Sequence, residues 1–160
     1  MNIEYKLPKG ITGFTSLEDF FEIPEIKNED VEGLFKEYIK NNLEYKLVGI
    51  QESNESNNYF TVILINIYKN EKYFLLFNNH FPFYSLLKEN ISWCERSYKD
   101  LEDYKLISFL EKKGFKFLTK SFLHKKIEKS KLRELGKSEL EQIEYWDCIS
   151  YGEIVFNNFD

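Results

Sequence analysis

The chain has 160 residues, of which 42% are hydrophobic and 18% aromatic, and its formal net charge is −5. Its 7 glycines and 3 prolines are too few for a collagen-like or a proline-rich disordered protein. A chain of this length is typical of one domain and buries roughly 70% of the surface that its unfolded form exposes. We therefore predict a single domain over residues 1–160.

The first predicted elements are two helices. TSLEDFFEI is typical of a short helix, because Thr15 or Ser16 can cap it and two acids follow in its first turn. NEDVEGLFKEYIKNN predicts a longer helix with Asn28 or Asp30 as its cap. Its apolar residues recur at helical spacing, and two asparagines mark its end.

Three segments then predict the strands of an antiparallel meander. LEYKLVGIQES alternates between apolar and polar residues, and KYFLLFNN follows the short turn KNE. Between them, YFTVILINIY is rich in β-branched and aromatic residues, as expected for a central strand buried on both faces. The chain is expected to leave the sheet at Pro82, and ISWCERSY is a candidate for a further short strand.

The second half predicts mainly helices. KDLEDYKLISFLEKKG is the clearest one, with Asp100 as its cap and Gly114 after its last turn. FKFLTKSFLHKKI alternates as a strand as far as Ser121, KSELEQIEYW predicts a short helix, and GEIVFNNF predicts a last turn or short helix. The whole pattern predicts an α+β fold with a central antiparallel sheet of about four to six strands and helices packed on it.

The sequence favours a cytoplasmic protein. The first residues, MNIEYKLPKG, do not form the basic segment and apolar run of a secretory signal. The apolar stretch YFTVILINIY is too short to span a bilayer, so we expect no membrane association. The two cysteines, Cys94 and Cys148, lie far apart in the sequence and fit reduced, buried thiols better than a disulfide.

Charges are segregated along the chain. Residues 18–32 contain seven acids and one lysine, residues 112–133 nine basic residues and one glutamate, and residues 134–160 seven acids and one lysine. Such blocks are either solvated faces that contribute little energy, or an acidic face that steers a basic partner. A nucleic-acid-binding regulator that uses Lys112–Arg133 is an alternative, although the chain as a whole is acidic.

Few residues point to catalysis. Cys94 and His80 are the candidate nucleophile and base, and a small enzyme with a pocket near them is a further alternative. The sequence contains neither metal-ligand spacing nor a glycine-rich phosphate loop. The pattern therefore favours a binding protein over an enzyme, and we expect no cofactor and no metal.

The chain ends in the apolar tail YWDCISYGEIVFNNFD, which contains a short motif. Its residues are Gly152, Glu153, Ile154, Val155, Phe156, Asn157, Phe159 and Asp160. This motif resembles the C-terminus of bacterial immunity proteins that accompany polymorphic toxins, notably those of contact-dependent growth inhibition. The resemblance covers only the end of the chain. It implies a protein that binds and neutralises a cognate toxin domain by blocking its active site or substrate groove.

The same tail also has a structural interpretation. Its large apolar residues are spaced to form one face of a helical turn, which would close the core. Gly152 permits a sharp entry into that turn, and Asn157 can satisfy exposed backbone groups. Asp160 is either an ion-pair partner of the basic block or a contact for the toxin, and the sequence leaves both open.

We expect the toxin to be a nuclease, because a nuclease groove is basic and an acidic, aromatic surface can mimic its substrate. We expect no direct contact between this chain and nucleic acid. Phe20, Phe21 and Tyr38 are the predicted aromatic anchors, with one of the two adjacent phenylalanines facing the core. The acidic block Glu139–Asp147 is the second candidate. The predicted partner-binding residues are Glu18, Asp19, Phe20, Phe21, Glu22, Glu25, Glu29, Asp30 and Tyr38.

Overall fold

A computed structural model describes residues 6–16, 21–88 and 96–159. In these ranges the chain forms an α+β fold, as predicted. The elements, in chain order, are α1 (Asn28–Lys40), β1 (Tyr45–Gln51), β2 (Tyr59–Asn66), β3 (Glu71–Asn78), β4 (Phe83–Leu87), β5 (Tyr98–Lys99), α2 (Tyr104–Lys112), β6 (Lys116–Phe117), α3 (Lys120–Leu123), α4 (Lys137–Tyr145) and α5 (Tyr151–Val155). None of the helices in the described ranges has the length and apolar character needed to cross a membrane.

Strands β1 to β4 form an antiparallel meander in chain order. The outer edge of β4 is shared by two short strands. β5 pairs antiparallel with Leu86 and Leu87, whereas β6 pairs parallel with Phe83 and Tyr84. The prediction that the chain leaves the sheet at Pro82 is wrong, because β4 begins at the next residue. A proline directly before a strand leaves the hydrogen bonds of that strand intact.

Both faces of the sheet are covered, so the protein has three layers. Along β3, Leu75 and Phe77 belong to the hydrophobic cluster under α1 and α2. Leu76, between them, belongs to the second cluster, with Leu123 of α3 and Val155 of α5. Successive side chains of a strand point to opposite faces, so the central strands are buried on both sides.

The N-terminal part differs from its predicted helices. Residues 17–20 lie outside the described ranges, and residues 21–23 have no helical structure. The N-cap of α1 is Lys27, which provides no side-chain hydrogen bond. Neither Asn28 nor Asp30 is therefore the cap that the sequence predicted, and both lie inside the first turn of α1.

Helix α2 begins later than predicted. Its N-cap is Asp103, and the Asp103 carboxylate accepts hydrogen bonds from the backbone N–H groups of Lys105 and Leu106. Asp100 instead accepts from the backbone N–H of Lys120 at 2.9 Å, which joins the start of α3 to the loop before α2. Gly114 follows α2 with φ +92°, as expected for a helix C′ residue.

Buried asparagines join both ends of the chain to the sheet. Asn58 precedes β2, Asn78 ends β3, and each side-chain amide donates to the same two carbonyls. Asn58 donates to Ile11 O at 2.8 Å and to Val155 O at 3.0 Å. Asn78 donates to Ile11 O at 3.0 Å and to Val155 O at 2.7 Å. The N-terminal turn and the C-terminal tail therefore meet at one end of the two central strands.

Asn157 completes this cluster from the tail. Its backbone N–H donates to Asn58 Oδ1 at 2.7 Å. Its side-chain amide donates to Thr12 O at 3.0 Å and to Ile154 O at 3.1 Å. Asn157 is buried, and buried polar groups without partners are costly. These hydrogen bonds therefore fix the path of the tail across the N-terminal turn.

The carboxylate of Glu139, in α4, also binds the N-terminal turn. This side chain is 1% exposed. Its carboxylate accepts from the backbone N–H groups of Gly10 at 2.7 Å, Thr12 at 3.0 Å and Gly136 at 3.1 Å, and from the Thr12 hydroxyl at 2.5 Å. The donors compensate for burial of the carboxylate. Glu139 is therefore not a surface residue of the predicted second interface, Glu139–Asp147.

Replacing Asn157 with alanine should destabilise the protein. The variant loses the two hydrogen bonds that the side-chain amide donates and the one that its oxygen accepts from the Phe159 N–H, and it leaves two buried carbonyls without that donor. We expect the free energy of unfolding to fall by about 2–4 kcal/mol, measured by urea denaturation. Asn158→Ala is the matched control, since Asn158 Oδ1 has no hydrogen-bond partner in the described structure. Its loss should be below about 1 kcal/mol, and equal losses in both variants would contradict the role of the cluster.

Candidate protein-binding surface

The predicted acidic interface lies partly within the described structure. Three of its residues lie outside the described ranges: Glu18, Asp19 and Phe20. Four of its acids are exposed: Glu22, Glu25, Glu29 and Asp30. None of these four carboxylates forms a salt bridge with another described residue. We call these four residues the acidic edge. Within the described ranges, no lysine or arginine side chain is therefore paired with them.

Neither of the two aromatic anchors that the structure describes is fully exposed. Tyr38 is 3% exposed, and its ring lies 6.0 Å from that of Tyr45 and 5.0 Å from that of Phe109. The prediction of Tyr38 as a surface anchor is therefore wrong, because α1 turns this side chain into the core. Phe21 is half-buried, and the Lys9 ammonium lies 5.3 Å from its ring centre. Only part of Phe21 can contact a partner.

A groove lies between the acidic edge and the end of the sheet. Residues 23–29 form one wall, and Phe60, Asn79 and His80 contribute to the other. The walls are joined by hydrogen bonds: Ile26 N–H donates to Asn79 O at 2.6 Å, and His80 Nδ1 lies 2.9 Å from the Pro24 carbonyl oxygen. The acidic edge is therefore attached to the central sheet.

His80, which lines this groove, is also a titratable group whose pKa differs from its ordinary value. Burial lowers its pKa below the ordinary 6.5, against the opposing effects of the Pro24 carbonyl, Glu139 and Glu25. The predicted catalytic pair cannot be placed, because Cys94 lies outside the described residues. Cys148 is a free, half-buried thiol whose pKa burial raises to about 12. It is a poor nucleophile at neutral pH.

The lowered pKa of His80 predicts a pH dependence of stability. The folded state disfavours the imidazolium, so the unfolded chain binds more protons once the pH falls below about 6.5. The free energy of unfolding should therefore decrease between about pH 7 and pH 5, and His80→Gln should make that decrease smaller. Urea denaturation at both pH values measures the difference. The same decrease in both proteins would contradict a contribution from His80.

The basic block is spread over several elements, from the end of α2 to the 3₁₀ turn Lys129–Leu132. Lys120 and His124 line a groove together with Lys88 and Lys99. Two of these groups are already engaged: Lys99 forms a salt bridge with Glu71 at 2.9 Å, and His124 Nε2 accepts from the Tyr98 N–H. The alternative of a nucleic-acid-binding regulator rests on the whole block Lys112–Arg133, of which only residues 120, 121 and 124 line this groove.

The residues of the C-terminal motif are used in packing. A Cβ atom on Gly152 would lie 2.7 Å from the Tyr98 ring and 3.1 Å from Leu123 O. Glu153 accepts from the backbone N–H groups of Ile149 and Ser150 at 2.6 and 2.7 Å, and thereby caps α5. Asp160 lies outside the described ranges. The apolar members are all buried, as the structural interpretation expects: Ile154, Val155, Phe156 and Phe159.

Gly152→Ala tests this packing. Because the added methyl group meets the Tyr98 ring and a backbone carbonyl, we expect the free energy of unfolding to fall by about 1–3 kcal/mol. Gly33→Ala is the matched control, since Gly33 lies in α1 with no described atom within 4 Å of an added Cβ. It should stabilise by about 0.5–1 kcal/mol. Thermal or urea unfolding distinguishes them, and no loss in Gly152→Ala would contradict the close approach.

No family model matches this chain, and no curated protein or solved structure is significantly similar to it. Within the described ranges, no cluster of three or more His, Cys, Asp and Glu side chains could hold a metal ion. The function must therefore be argued from the surface of the chain itself. The clearest feature of that surface is the acidic edge beside its groove.

Proposed function

We propose that this protein is an immunity protein, which binds a toxin domain and blocks its active site or substrate groove. The observation that carries this proposal is the acidic edge: Glu22, Glu25, Glu29 and Asp30 are exposed and form no salt bridge within the described structure. The resemblance of the C-terminal motif to immunity proteins supports the same role. The proposed toxin is a nuclease, whose phosphate-binding groove is complementary in charge.

The attachment of the acidic edge favours tight binding. Ile26 N–H and His80 Nδ1 are hydrogen-bonded across the groove, so the segment that carries Glu22 and Glu25 is held against the sheet. A surface that is ordered before binding loses less conformational entropy when the partner docks. Inhibition then needs no chemical step, because occupation of the toxin groove excludes its nucleic-acid substrate.

Co-expression tests the proposal directly. The C-terminal toxin domain encoded in the adjacent gene should arrest growth alone, and this chain should restore growth. The two proteins should also elute together from a sizing column. If growth is not restored and no complex forms, the chain is not the immunity protein of that toxin. If a complex forms but growth is not restored, the chain binds without blocking the active site.

Charge reversal at the acidic edge should slow association. In Glu22→Lys/Glu25→Lys, steering of a basic partner is reversed, so we expect the on-rate to fall about tenfold or more at low ionic strength. Stopped-flow or surface plasmon resonance at several salt concentrations measures this. The unfolding free energy should change little, because exposed charges contribute little to stability.

The matched control is Glu141→Lys/Glu144→Lys, which changes the charge equally on two exposed residues of α4. Its on-rate should change far less than that of the acidic-edge variant. If the α4 variant shows the larger effect, the second acidic block is the interface and the assignment to the acidic edge is wrong.

A further inference from the structure

Two tyrosines are strongly exposed at the opposite end of α1 from the acidic edge. Tyr68 is 81% exposed and Tyr104 is 80% exposed. They line one groove together with three acids, Glu44, Glu102 and Asp103, and with Lys69. We call this feature the tyrosine groove. Large apolar side chains next to it, Leu43 and Ile67, are also exposed, and such patches commonly mark interaction sites.

Tyr68 is carried by a turn that is fixed by its own hydrogen bonds. The buried Asn66 side chain accepts from the backbone N–H groups of Tyr68 at 3.1 Å and Lys69 at 3.0 Å. The Ile67 N–H donates to Glu44 O at 2.7 Å, which joins this turn to the loop after α1. The backbone that presents Tyr68 is therefore set before any partner arrives.

Tyr104 is held equally well on the other side. It is the first residue of α2, directly after the cap Asp103. The Asp103 carboxylate accepts from two backbone N–H groups of α2, and also from the hydroxyl of Tyr45 at 2.5 Å. The start of α2 is thus attached to β1. A tyrosine on a fixed backbone gives a large contact area at low entropic cost.

The groove is electronegative. It has three carboxylates against the single ammonium of Lys69. Asp103 is engaged as a cap, but no hydrogen bond to the side chain of Glu44 or Glu102 is found in the described structure. Two of these carboxylates also act on a buried tyrosine. The pKa of Tyr38 is raised, mainly by burial and further by the negative charges of Asp103 and Glu44. The Tyr38 hydroxyl has no hydrogen-bond partner in the described structure.

We propose that the tyrosine groove binds an arginine side chain of a protein partner. The planar guanidinium stacks on the rings of Tyr68 and Tyr104, and its N–H groups face the carboxylates of Glu44 and Glu102. Aromatic faces and carboxylates are the two groups that a guanidinium contacts best, and arginine stacks on rings better than lysine does. The choice of a basic partner rests on the proposed function.

The groove is a contact separate from the acidic edge. Helix α1 lies between them and, with 13 residues, is ~20 Å long. Two contacts at this separation fit one face of a standard protein interface. The acidic edge would then supply electrostatic steering, and the tyrosine groove an aromatic anchor of the kind that dominates binding energy.

A peptide titration tests the groove without the toxin. The probe is acetyl-Gly-Arg-Gly-Arg-Gly-amide, followed by ¹H–¹⁵N NMR at low ionic strength. We expect shifts concentrated at residues 66–69 and 102–105, and affinity about tenfold lower in Tyr68→Ala/Tyr104→Ala. Tyr145→Ala, which removes another exposed tyrosine, should bind as the wild type does. A peptide with citrulline in place of arginine keeps the shape without the charge and should not bind.

Other results would overturn the inference. These are equal binding of the citrulline peptide, shifts confined to the acidic edge, or unchanged affinity in the double tyrosine variant. A dimer at high protein concentration that disappears in this variant would mean that a second copy of the chain occupies the groove. If the tyrosine variant unfolds, Glu44→Gln/Glu102→Gln replaces it, because this variant alters only exposed or half-buried charges. Its affinity for the peptide should also fall, and unchanged affinity would overturn the inference.

The peptide result and the co-expression result separate the two proposals. Peptide binding at the groove without toxin neutralisation contradicts the immunity role and supports the groove. The opposite result is that the chain neutralises the toxin, no peptide binds at the groove, and Tyr68→Ala/Tyr104→Ala still protects fully. This result supports the immunity role and overturns the proposal that the groove binds arginine.

Discussion

The structure depends on one buried polar cluster, in which the N-terminal turn and the C-terminal tail are bonded to the sheet and to each other. Asn58 and Asn78 bind carbonyls of both ends, and Asn157 bonds back to the N-terminal turn. Glu139 holds that turn from α4. Each of these groups would be costly to bury without a partner, and the hydrogen bonds between them offset that cost. This constraint explains why the apolar residues of the tail, 151–159, are packed against the core.

The surfaces proposed for binding lie away from the buried tail. The tail motif is occupied by packing, so its buried residues act on function only through the fold. The acidic edge and the tyrosine groove lie at the two ends of α1, and both are carried by backbone that is hydrogen-bonded to the sheet or to its turns. A rigid, electronegative surface is what the proposed inhibition by occupation of a basic groove requires.

Hydrophobic periodicity was sufficient to predict the α+β fold, the strands of the meander and the apolar stripes of α1 and α2. It failed where a polar residue was buried or an aromatic one exposed. Glu139 has the pattern of a surface acid, because the backbone groups of Gly10 and Thr12 that it binds are distant in sequence. Tyr68 and Tyr104 have the pattern of core residues, but Tyr68 lies in the turn after β2 and Tyr104 is the first residue of α2, and both are exposed. Tyr38 is predicted as a surface anchor because tyrosine is common in interfaces. Its position on the apolar stripe of α1 indicates instead that it is buried, as the structure has it. Pro82 has the pattern of a strand breaker, but it only precedes β4.

Hydrogen–deuterium exchange with and without the toxin domain tests the central claim, that a basic partner binds the electronegative surface along α1. The account predicts that binding slows exchange in residues 21–30, 66–69 and 102–105, where the acidic edge and the tyrosine groove lie. The tail, residues 151–159, should exchange slowly in both states because it is already buried. Protection centred on the basic groove, at residues 120–124, with no change along α1, would contradict the account.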